Sequence, residues 1–288
     1  SNRCTYCAIP YIRGPFVSRK KEDILEEAKK LAKDGIKELI VIAQDTTKYG
    51  EDIYGENKLA ELLEELSNID EIKWIRFLYS YPEGITDELI NVVANNSKIA
   101  KYFDIPIQHI SDTVLKRMNR RTNKKQITSL IKKIRKAIPD VTIRTTLIVG
   151  FPGETEEDFT ELSEFVRDMR FDRMGCFAYS PEEDTPAAEF PDQIDDEVKK
   201  HRRDIIMEQQ AEIMAEKCES MIGKTIKVLF EGFDRYAECY YGRSSADAPE
   251  VDGKVFFTVE GKKPAVGDII DVEITDYIDV DLIGEYKA

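Results

Sequence analysis

The segment Val141–Val149 reads VTIRTTLIV, and the turn sequence GFPGE follows it at 150–154. A run this rich in β-branched residues that ends at a glycine predicts a buried strand. Thr155 is a suitable N-cap, and Asp158 favours the positively charged start of a helix. The segment therefore predicts a strand that passes through a tight turn into a helix.

Four more apolar runs of this kind occur, at Glu38–Ala43, Trp74–Tyr79, Tyr102–Ile107 and Met174–Tyr179. Amphipathic stretches between them predict helices at 21–34, 57–68, 86–96, 111–118, 124–137 and 155–170. Strands that recur every ~30–40 residues with helices between them are βα units, which build a parallel sheet, open or closed into a barrel. In such sheets the chemistry lies at the carboxyl ends of the strands.

The pattern changes near residue 221. A long charged helix is predicted over 195–221, and closely spaced strands without helices between them follow it. These strands are predicted at 225–230, 236–241, 254–259 and 269–275. About 65 residues of this kind form a small all-β barrel. We therefore divide the chain into an α/β domain at 1–221 and a β-barrel domain at 222–288.

Composition narrows the class of protein. The chain has 288 residues, of which 42% are hydrophobic, enough for a substantial core. It contains no apolar run of about 18 residues, so membrane association is not expected. Five cysteines without regular spacing predict a reducing, cytoplasmic location rather than a disulfide framework. The net charge of −14 argues against broad affinity for nucleic acid and suits a basic protein partner, although it also serves solubility alone.

Two cysteines stand close together near the start of the sequence, in Cys4-Thr5-Tyr6-Cys7. This spacing occurs in thioredoxin-like redox motifs, in half of a zinc site and in the last two ligands of a C-x-x-x-C-x-x-C iron–sulfur loop. There is no second C-x-x-C, and neither histidine lies at ligand spacing to the pair. Spacing alone leaves the redox, zinc and iron–sulfur alternatives open. In the last of these, the first cysteine falls one residue before Ser1.

Polar loops follow the predicted strands, at 43–50, 79–82, 104–111, 150–155 and 179–186. Turn and capping chemistry explains one such loop, but five on one face together with the cysteine loop predict a funnel-shaped binding site.

Two features of these loops each allow two interpretations. His109 is either a general base or a hydrogen-bonded structural residue. The acidic set Glu182, Glu183 and Asp184 either binds a basic substrate or forms a solvated loop. Neither a P-loop nor a dinucleotide fingerprint accompanies them.

The sequence CTYCAIP at Cys4–Pro10, followed by Arg13-Gly14 and Ser18-Arg19, resembles the cluster loop of radical S-adenosylmethionine (radical SAM) enzymes, in their methylthiotransferase branch. Further segments match the family in order, at 44–50, 81–82, 106–108, 115–120 and 150–154. The terminal β module resembles TRAM. The resemblance covers essentially the whole chain and favours the iron–sulfur alternative.

The resemblance implies a four-iron four-sulfur cluster and S-adenosylmethionine as cofactors. In this family three cysteines hold the cluster, and its open iron binds the amino and carboxylate groups of S-adenosylmethionine. Cys4 and Cys7 are the implied iron ligands, and no catalytic residue is assigned. The residues expected to bind S-adenosylmethionine are Tyr6, Ile9, Gln44, Gln108, Arg144, Gly150 and Glu154.

These residues are expected to act in three ways. Tyr6 and Ile9 flank the adenine, and the turn from Gly150 to Glu154 shapes its pocket. Gln44, Gln108 and Arg144 make polar contacts to the cofactor, an expectation that rests on strand-end position and family analogy.

Within the branch the sequence resembles the RimO type, which modifies an aspartate of a small-subunit ribosomal protein. Gln108-His109-Ile110 stands where the MiaB type, which modifies an adenosine in transfer RNA, usually carries Gln-Ser-Gly. Segments 179–183 and 241–249 also resemble the RimO type. The implied reaction adds a methylthio group to the β-carbon of the aspartate, with the TRAM-like module holding the substrate and a reductant protein as a second partner. Transfer-RNA modification and a non-catalytic ribosome-binding role are the alternatives.

The sequence departs from the family pattern at its start. The first cluster cysteine is missing, as is the strand before it, so the expected fold is a partial (β/α)6 barrel without its first strand, followed by the TRAM-like barrel. An amino-terminal methylthiotransferase domain, with three cysteines for a second cluster, is missing too. We therefore expect this fragment alone to be inactive.

Overall fold

The computed structural model describes residues 2–287. The amino-terminal part contains five strands: β1 (Glu38–Val41), β2 (Trp74–Phe77), β3 (Tyr102–Asp104), β4 (Thr142–Val149) and β5 (Arg173–Ala178). β1 pairs in parallel with β2, and β4 pairs in parallel with both β3 and β5. A parallel bridge between Ile75 and Ile99 joins the two groups. Strand order thus follows chain order, which confirms the predicted partial barrel.

Helices lie before, between and after these strands. Their bounds are α1 (Ile9–Arg13), α2 (Lys21–Lys33), α3 (Glu51–Tyr54), α4 (Leu59–Ser67), α5 (Asp87–Asn95), α6 (Asp112–Arg117), α7 (Lys124–Ala137), α8 (Glu156–Met169) and α9 (Asp196–Glu219). The side chains of Ser111 and Thr155 accept hydrogen bonds from the first turns of α6 and α8, as N-caps do. The short α1 and α3 are not anticipated in the sequence. No helix within the described residues is both long enough and apolar enough to cross a bilayer.

The core of the α/β part lies between the sheet and its covering helices. Ile75, Phe77 and Phe103 in or beside the strands are fully buried, and so are Leu62 and Leu63 of α4. Each such side chain contributes about 1.5–3 kcal/mol through burial. This rigid layer fixes the positions of the loops at the carboxyl ends of the strands.

The carboxyl-terminal part is a closed five-stranded barrel. Its strands are β6 (Thr225–Asp234), β7 (Cys239–Ser244), β8 (Val255–Glu260), β9 (Ile269–Ile278) and β10 (Asp281–Lys287), in the order β10-β8-β7-β6-β9. The predicted domain boundary at 221–222 falls between the end of α9 and the start of β6.

The sequence pattern predicts four barrel strands, and the structure corrects this number to five. β10 was missed because Gly284 interrupts a short alternating pattern, and glycine weakens a strand prediction. The glycine has a packing reason, since a Cβ at this position would lie 2.4 Å from the carbonyl oxygen of Glu273 on β9.

Gly284→Ala is therefore expected to lower the free energy of unfolding by about 1–3 kcal/mol, because the strands must move apart to admit the methyl group. Gly175→Ala is the matched control, since its Cβ would meet nothing closer than a ring carbon of Phe177 at 3.5 Å. Urea unfolding of both variants measures the difference. Equal midpoints for the two variants would contradict the packing argument.

Candidate functional site

The cysteine loop is held in place by backbone contacts from two distant segments. The Thr5 hydroxyl donates to the carbonyl of Arg117 at the end of α6 (2.9 Å), and the Thr5 carbonyl accepts from the amide of Ala187 (2.9 Å). Within the loop, the Cys7 amide donates to the Cys4 carbonyl at 3.2 Å. This tight turn carries both thiols on one anchored loop.

The Cys4 side chain is buried among aromatic and cationic groups. Its Sγ lies 3.8 Å from the Tyr81 hydroxyl, which follows β2. The Arg120 guanidinium stacks over the Tyr81 ring at 4.3 Å from its centre and donates to the Pro106 carbonyl at 2.8 Å. Nη1 of Arg120 is buried and has no hydrogen-bond partner. A buried cation with a spare donor beside a thiol favours an anionic group at this position.

The remaining residues of the loop differ in exposure. Tyr6 packs edge-on against Phe151, with ring centres 6.5 Å apart, and burial raises the pKa of its hydroxyl. Cys7 is half-buried, and burial raises the pKa of its thiol. Ile9, the first residue of α1, is 40% exposed. The loop thus turns Tyr6 toward the protein and Ile9 toward solvent.

The turn after β4 is built around the buried carboxylate of Glu154. Its Oε2 accepts from the amides of Gly150 (2.8 Å) and Phe151 (3.3 Å), and its Oε1 accepts from Arg202 of α9 (2.8 Å). Gly150 has a φ of +68°, and a Cβ there would lie 2.3 Å from Cγ of Lys199. The buried Glu154 carboxylate therefore holds the turn in its conformation. Phe151 of this turn contacts Tyr6 of the cysteine loop.

Gln108 lies beside the same group of residues. Its backbone bridges to β4, donating to the Thr146 carbonyl and accepting from the Ile148 amide at 2.8 and 2.7 Å. Its φ of +71° is uncommon for a residue with a side chain. Its Nε2 lies 3.4 Å from the Pro106 carbonyl, which also accepts from Arg120. The pattern of contacts therefore joins Gln108, Arg120, Tyr81 and Cys4.

His109 has a different environment. It is fully buried, its Nδ1 accepts from the Ser111 amide at 3.0 Å, and its Nε2 lies 3.4 Å from Oε2 of Glu154. Because Nδ1 accepts a hydrogen bond, Nε2 carries the proton of the neutral ring. Both ring nitrogens face protein groups, so the structure favours the structural interpretation of this histidine over the general base.

The Asp158 carboxylate accepts hydrogen bonds from the hydroxyls of Ser111 and Thr155, and these contacts predict that stability depends on pH. Burial raises the pKa of Asp158, but hydrogen bonds from Ser111 and Thr155 outweigh it and hold the pKa below its ordinary value of 3.8. A lowered folded pKa stabilises the fold above the unfolded pKa, and this stability is lost as pH falls through the folded pKa.

We therefore expect Asp158→Asn to be less stable than the native protein at pH 7 and the difference to shrink below pH 3.8. Urea midpoints across the pH range measure it. A difference that stays constant down to acid pH would show that ionisation of Asp158 is not involved.

Two of the predicted residues lie elsewhere. Nη1 of Arg144 donates to Asp104 at 3.0 Å, and its Nε lies 3.8 Å from Asp252 of the barrel domain, so its guanidinium is committed to an ionic contact. Gln44 is exposed after β1, next to Asp45, whose carboxylate accepts from Asn2 at 2.7 Å. Sequence reasoning assigned no role to Tyr81 or Arg120, although both stand in segments that match the family in order.

The side chains of the cysteine loop meet part of what an iron–sulfur cluster requires. Cys4 and Cys7 are free thiols, the ligand type that such clusters use. Among residues 2–287, no three Cys, His, Asp or Glu side chains are grouped to hold a metal ion. With Arg120 beside them, the two thiols fit an anionic iron–sulfur group in kind.

Comparison with known proteins decides the family. The sequence profile of the radical SAM superfamily matches residues 1–166 of the 288. The chain belongs to the radical SAM superfamily. The TRAM domain profile matches residues 222–286, so this radical SAM core is followed by a TRAM barrel. Membership of the superfamily implies a four-iron four-sulfur cluster and S-adenosylmethionine as cofactors.

Curated relatives of this radical SAM chain extend the comparison. It is 57% identical over 284 residues to the ribosomal protein uS12 methylthiotransferase RimO of Alkaliphilus oremlandii, covering 99% of this chain and 65% of that protein. The RimO protein of Clostridioides difficile is 54% identical over 286 residues, covering 99% of this chain and 64% of that protein. The chain therefore spans less than two thirds of the length of these relatives.

Solved structures show the fold. A radical S-adenosylmethionine methyltransferase, TsrM from Kitasatospora setae, superposes with a TM-score of 0.53 at 16% identity, over 65% of this chain and 36% of that one. Streptococcus suis SuiB gives a TM-score of 0.51 at 13% identity, over 72% of this chain and 43% of that one. At these identities the likeness concerns the fold alone.

Proposed function

We propose that this chain is the radical SAM and TRAM portion of a RimO-type methylthiotransferase, which adds a methylthio group to the β-carbon of an aspartate in ribosomal protein uS12. The observation that carries the proposal is the likeness to RimO proteins along 99% of the chain. Gln108-His109-Ile110 and the net charge of −14 support a basic protein substrate.

Cys4 and Cys7 are proposed to bind the cluster, because they present two thiols on one anchored loop beside Arg120. The chemistry that such a cluster supplies together with S-adenosylmethionine is reductive formation of a carbon radical that removes hydrogen from the substrate. The cationic guanidinium of Arg120 offsets negative charge at the thiolates. Because burial raises the pKa of Tyr81, its hydroxyl stays protonated and can donate toward Cys4.

The chain's remaining work is to bind and orient S-adenosylmethionine. Tyr6 is positioned by Phe151 and Ile9 is exposed, which supports their proposed places beside the adenine. The Gly150 turn, held by Glu154, shapes that side of the pocket. Gln108 is the best placed amide for a polar contact, and Gln44 is a second candidate at the exposed rim.

Apolar side chains at the strand ends are suited to shielding a reactive intermediate. Ile42 after β1, Tyr79 after β2 and Phe177 in β5 are all exposed large hydrophobic residues. Exclusion of water prevents side reactions in an active site. We propose that these side chains help to exclude water from the site once a substrate covers the carboxyl ends of the strands.

Further features of the proposal follow from the whole enzyme. Residues 1–288 alone are proposed to be inactive, because Cys4 and Cys7 supply two of the three thiolates that hold a radical SAM cluster, and the whole enzyme is proposed to carry a second cluster. A reductant protein is the proposed electron source. The five free thiols support a reducing, cytoplasmic location.

One observation favours the transfer-RNA alternative. On the TRAM barrel, Lys254 lies 4.9 Å from the Tyr241 ring centre and Lys263 lies 5.0 Å from that of Tyr240. Lysines interleaved with aromatic rings are typical of surfaces that bind single-stranded nucleic acid. The test therefore has to offer both substrates.

The full-length gene product, reconstituted anaerobically with iron and sulfide, should be incubated with S-adenosylmethionine, a reductant, a uS12 loop peptide and an isopentenylated transfer RNA together. Mass spectrometry is expected to find one added methylthio group on the peptide aspartate and none on the RNA. A gain on the RNA alone would overturn the proposed substrate. Residues 1–288 assayed in parallel should give neither product.

A further inference from the structure

One loop of the TRAM barrel makes ionic contacts with the α/β domain, in addition to the packing of Met214 and Cys218 of α9 against the barrel core. This docking loop, residues 243–252, begins in β7 and faces the strands of the partial barrel. Nη2 of Arg243 lies 2.6 Å from Oε2 of Glu38 on β1, and Nη2 of Arg173 on β5 lies 2.5 Å from Oδ1 of Asp247. The loop therefore spans from the first strand of the sheet to the last.

The contact is ionic. Five carboxylates and four guanidiniums take part, and most of their side chains are buried. They are Glu38, Asp104, Glu231, Asp247, Asp252, Arg76, Arg144, Arg173 and Arg243. Ion pairs of this kind depend on geometry, so a displaced loop leaves several buried charges without partners.

Asp252, at the end of the docking loop, reaches the middle strands. Its Oδ2 accepts from the Tyr102 hydroxyl at 2.6 Å and from the Ala248 amide at 2.8 Å. Its Oδ1 lies 3.8 Å from Nε of Arg144 and 3.9 Å from Nε of Arg173. The position of Arg144 is thus set partly by a residue of the other domain.

Asp104 connects Arg144 to the loop after β2. Its Oδ1 accepts from Nη1 of Arg144 at 3.0 Å, while its Oδ2 accepts from the Tyr79 amide at 2.9 Å. The Asp104 carbonyl also accepts from the Ser80 amide at 2.9 Å. Tyr79 has a φ of +60°, a strained conformation for an aromatic residue that persists only when its surroundings impose it.

The loop that Asp104 holds continues directly to the cysteine site. Two residues beyond Tyr79, the Tyr81 hydroxyl lies 3.8 Å from Sγ of Cys4. A continuous set of contacts therefore runs from Asp252 through Arg144 and Asp104 to the backbone that carries Tyr81.

We propose that Asp104 is a positioning residue that couples docking of the TRAM loop to the conformation of residues 79–81 beside Cys4. A partner that shifts the docking loop then changes the conformation of residues 79–81 beside Cys4 without contacting these residues. This coupling concerns the two domains of this chain, and it holds whether or not uS12 is the substrate.

Amide hydrogen exchange of the full-length protein tests the coupling. Asp252→Ala is expected to raise exchange in the peptide containing 79–81 by about fivefold or more, and Asp104→Asn to do the same, with α8 unchanged. The matched control Asp271→Ala, which removes an exposed barrel carboxylate paired with Lys227, should leave this peptide at the native rate. If Asp252→Ala does not accumulate, Asp252→Asn keeps the side-chain size and carries the same test.

The double variant Asp252→Ala with Asp104→Asn separates a shared path from two independent effects. Because both changes act on the same contacts, exchange at 79–81 in the double variant should equal that of Asp104→Asn alone. Three results would overturn the proposal: native exchange at 79–81 when the docking loop is loosened, a rise spread evenly over the core strands, or additive effects in the double variant.

Discussion

Glu154→Ala is expected to lower the free energy of unfolding by about 3–5 kcal/mol, the range for breaking a buried ion pair on one side. The Glu154 carboxylate is fully enclosed and binds Arg202 at 2.8 Å. Among the described residues, its removal leaves that guanidinium with the exposed Glu156 as its one acidic partner. It also leaves the Gly150 and Phe151 amides without their acceptor, and each unmatched buried donor adds to the loss.

Urea unfolding with two companion variants checks this result. Glu154→Gln keeps the shape and an acceptor oxygen, so its loss should be smaller than that of the alanine variant. Glu157→Ala removes an exposed carboxylate of α8, and we expect it to change the free energy of unfolding by less than about 1 kcal/mol. A native midpoint for Glu154→Ala would show that the turn after β4 is not held as described.

Arg120→Leu is expected to cost about 2–4 kcal/mol, since it removes a charged hydrogen bond and a stacked cation at one position. The guanidinium donates to the Pro106 carbonyl at 2.8 Å and covers the Tyr81 ring at 4.3 Å. Without it, the Pro106 carbonyl keeps only the longer contact from Gln108, and Tyr81 loses the group that holds its ring. Without the cation that favours its thiolate, Cys4 should then react more slowly with an alkylating reagent at a fixed pH.

Arg121→Leu is the matched control, because the neighbouring side chain is exposed. It should leave both the unfolding midpoint and the alkylation rate of Cys4 near their native values. Equal effects of the two substitutions would contradict the assigned role of Arg120.

The strands of the α/β domain could be predicted because each is a short apolar run rich in β-branched or aromatic residues. The main deviation is β3, where the apolar run reaches Ile107 but the strand ends at Asp104. Pro106 has no amide hydrogen for a sheet, and Gln108 turns with a positive φ. The sequence therefore contains the reason why β3 ends before Ile107.

The site was only partly predictable. The cysteine loop is local in sequence, so its spacing was visible. The environment of Arg144 was not, since it depends on Asp252, a residue of the other domain that only the tertiary fold brings near. Arg144 is also the third of the eight residues in β4, so it lies well before the strand end at which it was expected. For Glu154, the sequence could not show that the carboxylate binds the amides of its own turn and does not point toward the expected cofactor pocket.

Cleavage of S-adenosylmethionine by the reconstituted full-length gene product, followed as 5′-deoxyadenosine by mass spectrometry, tests most directly whether the cysteine loop is the cofactor site. We predict that Cys4→Ala and Cys7→Ala each lower the formation of 5′-deoxyadenosine by about 100-fold or more, because cluster binding depends on both thiolates. Cys239→Ala, which removes a half-buried thiol of the TRAM barrel, should leave it unchanged. Native amounts of 5′-deoxyadenosine from Cys4→Ala would contradict the assignment of this loop as the cofactor site.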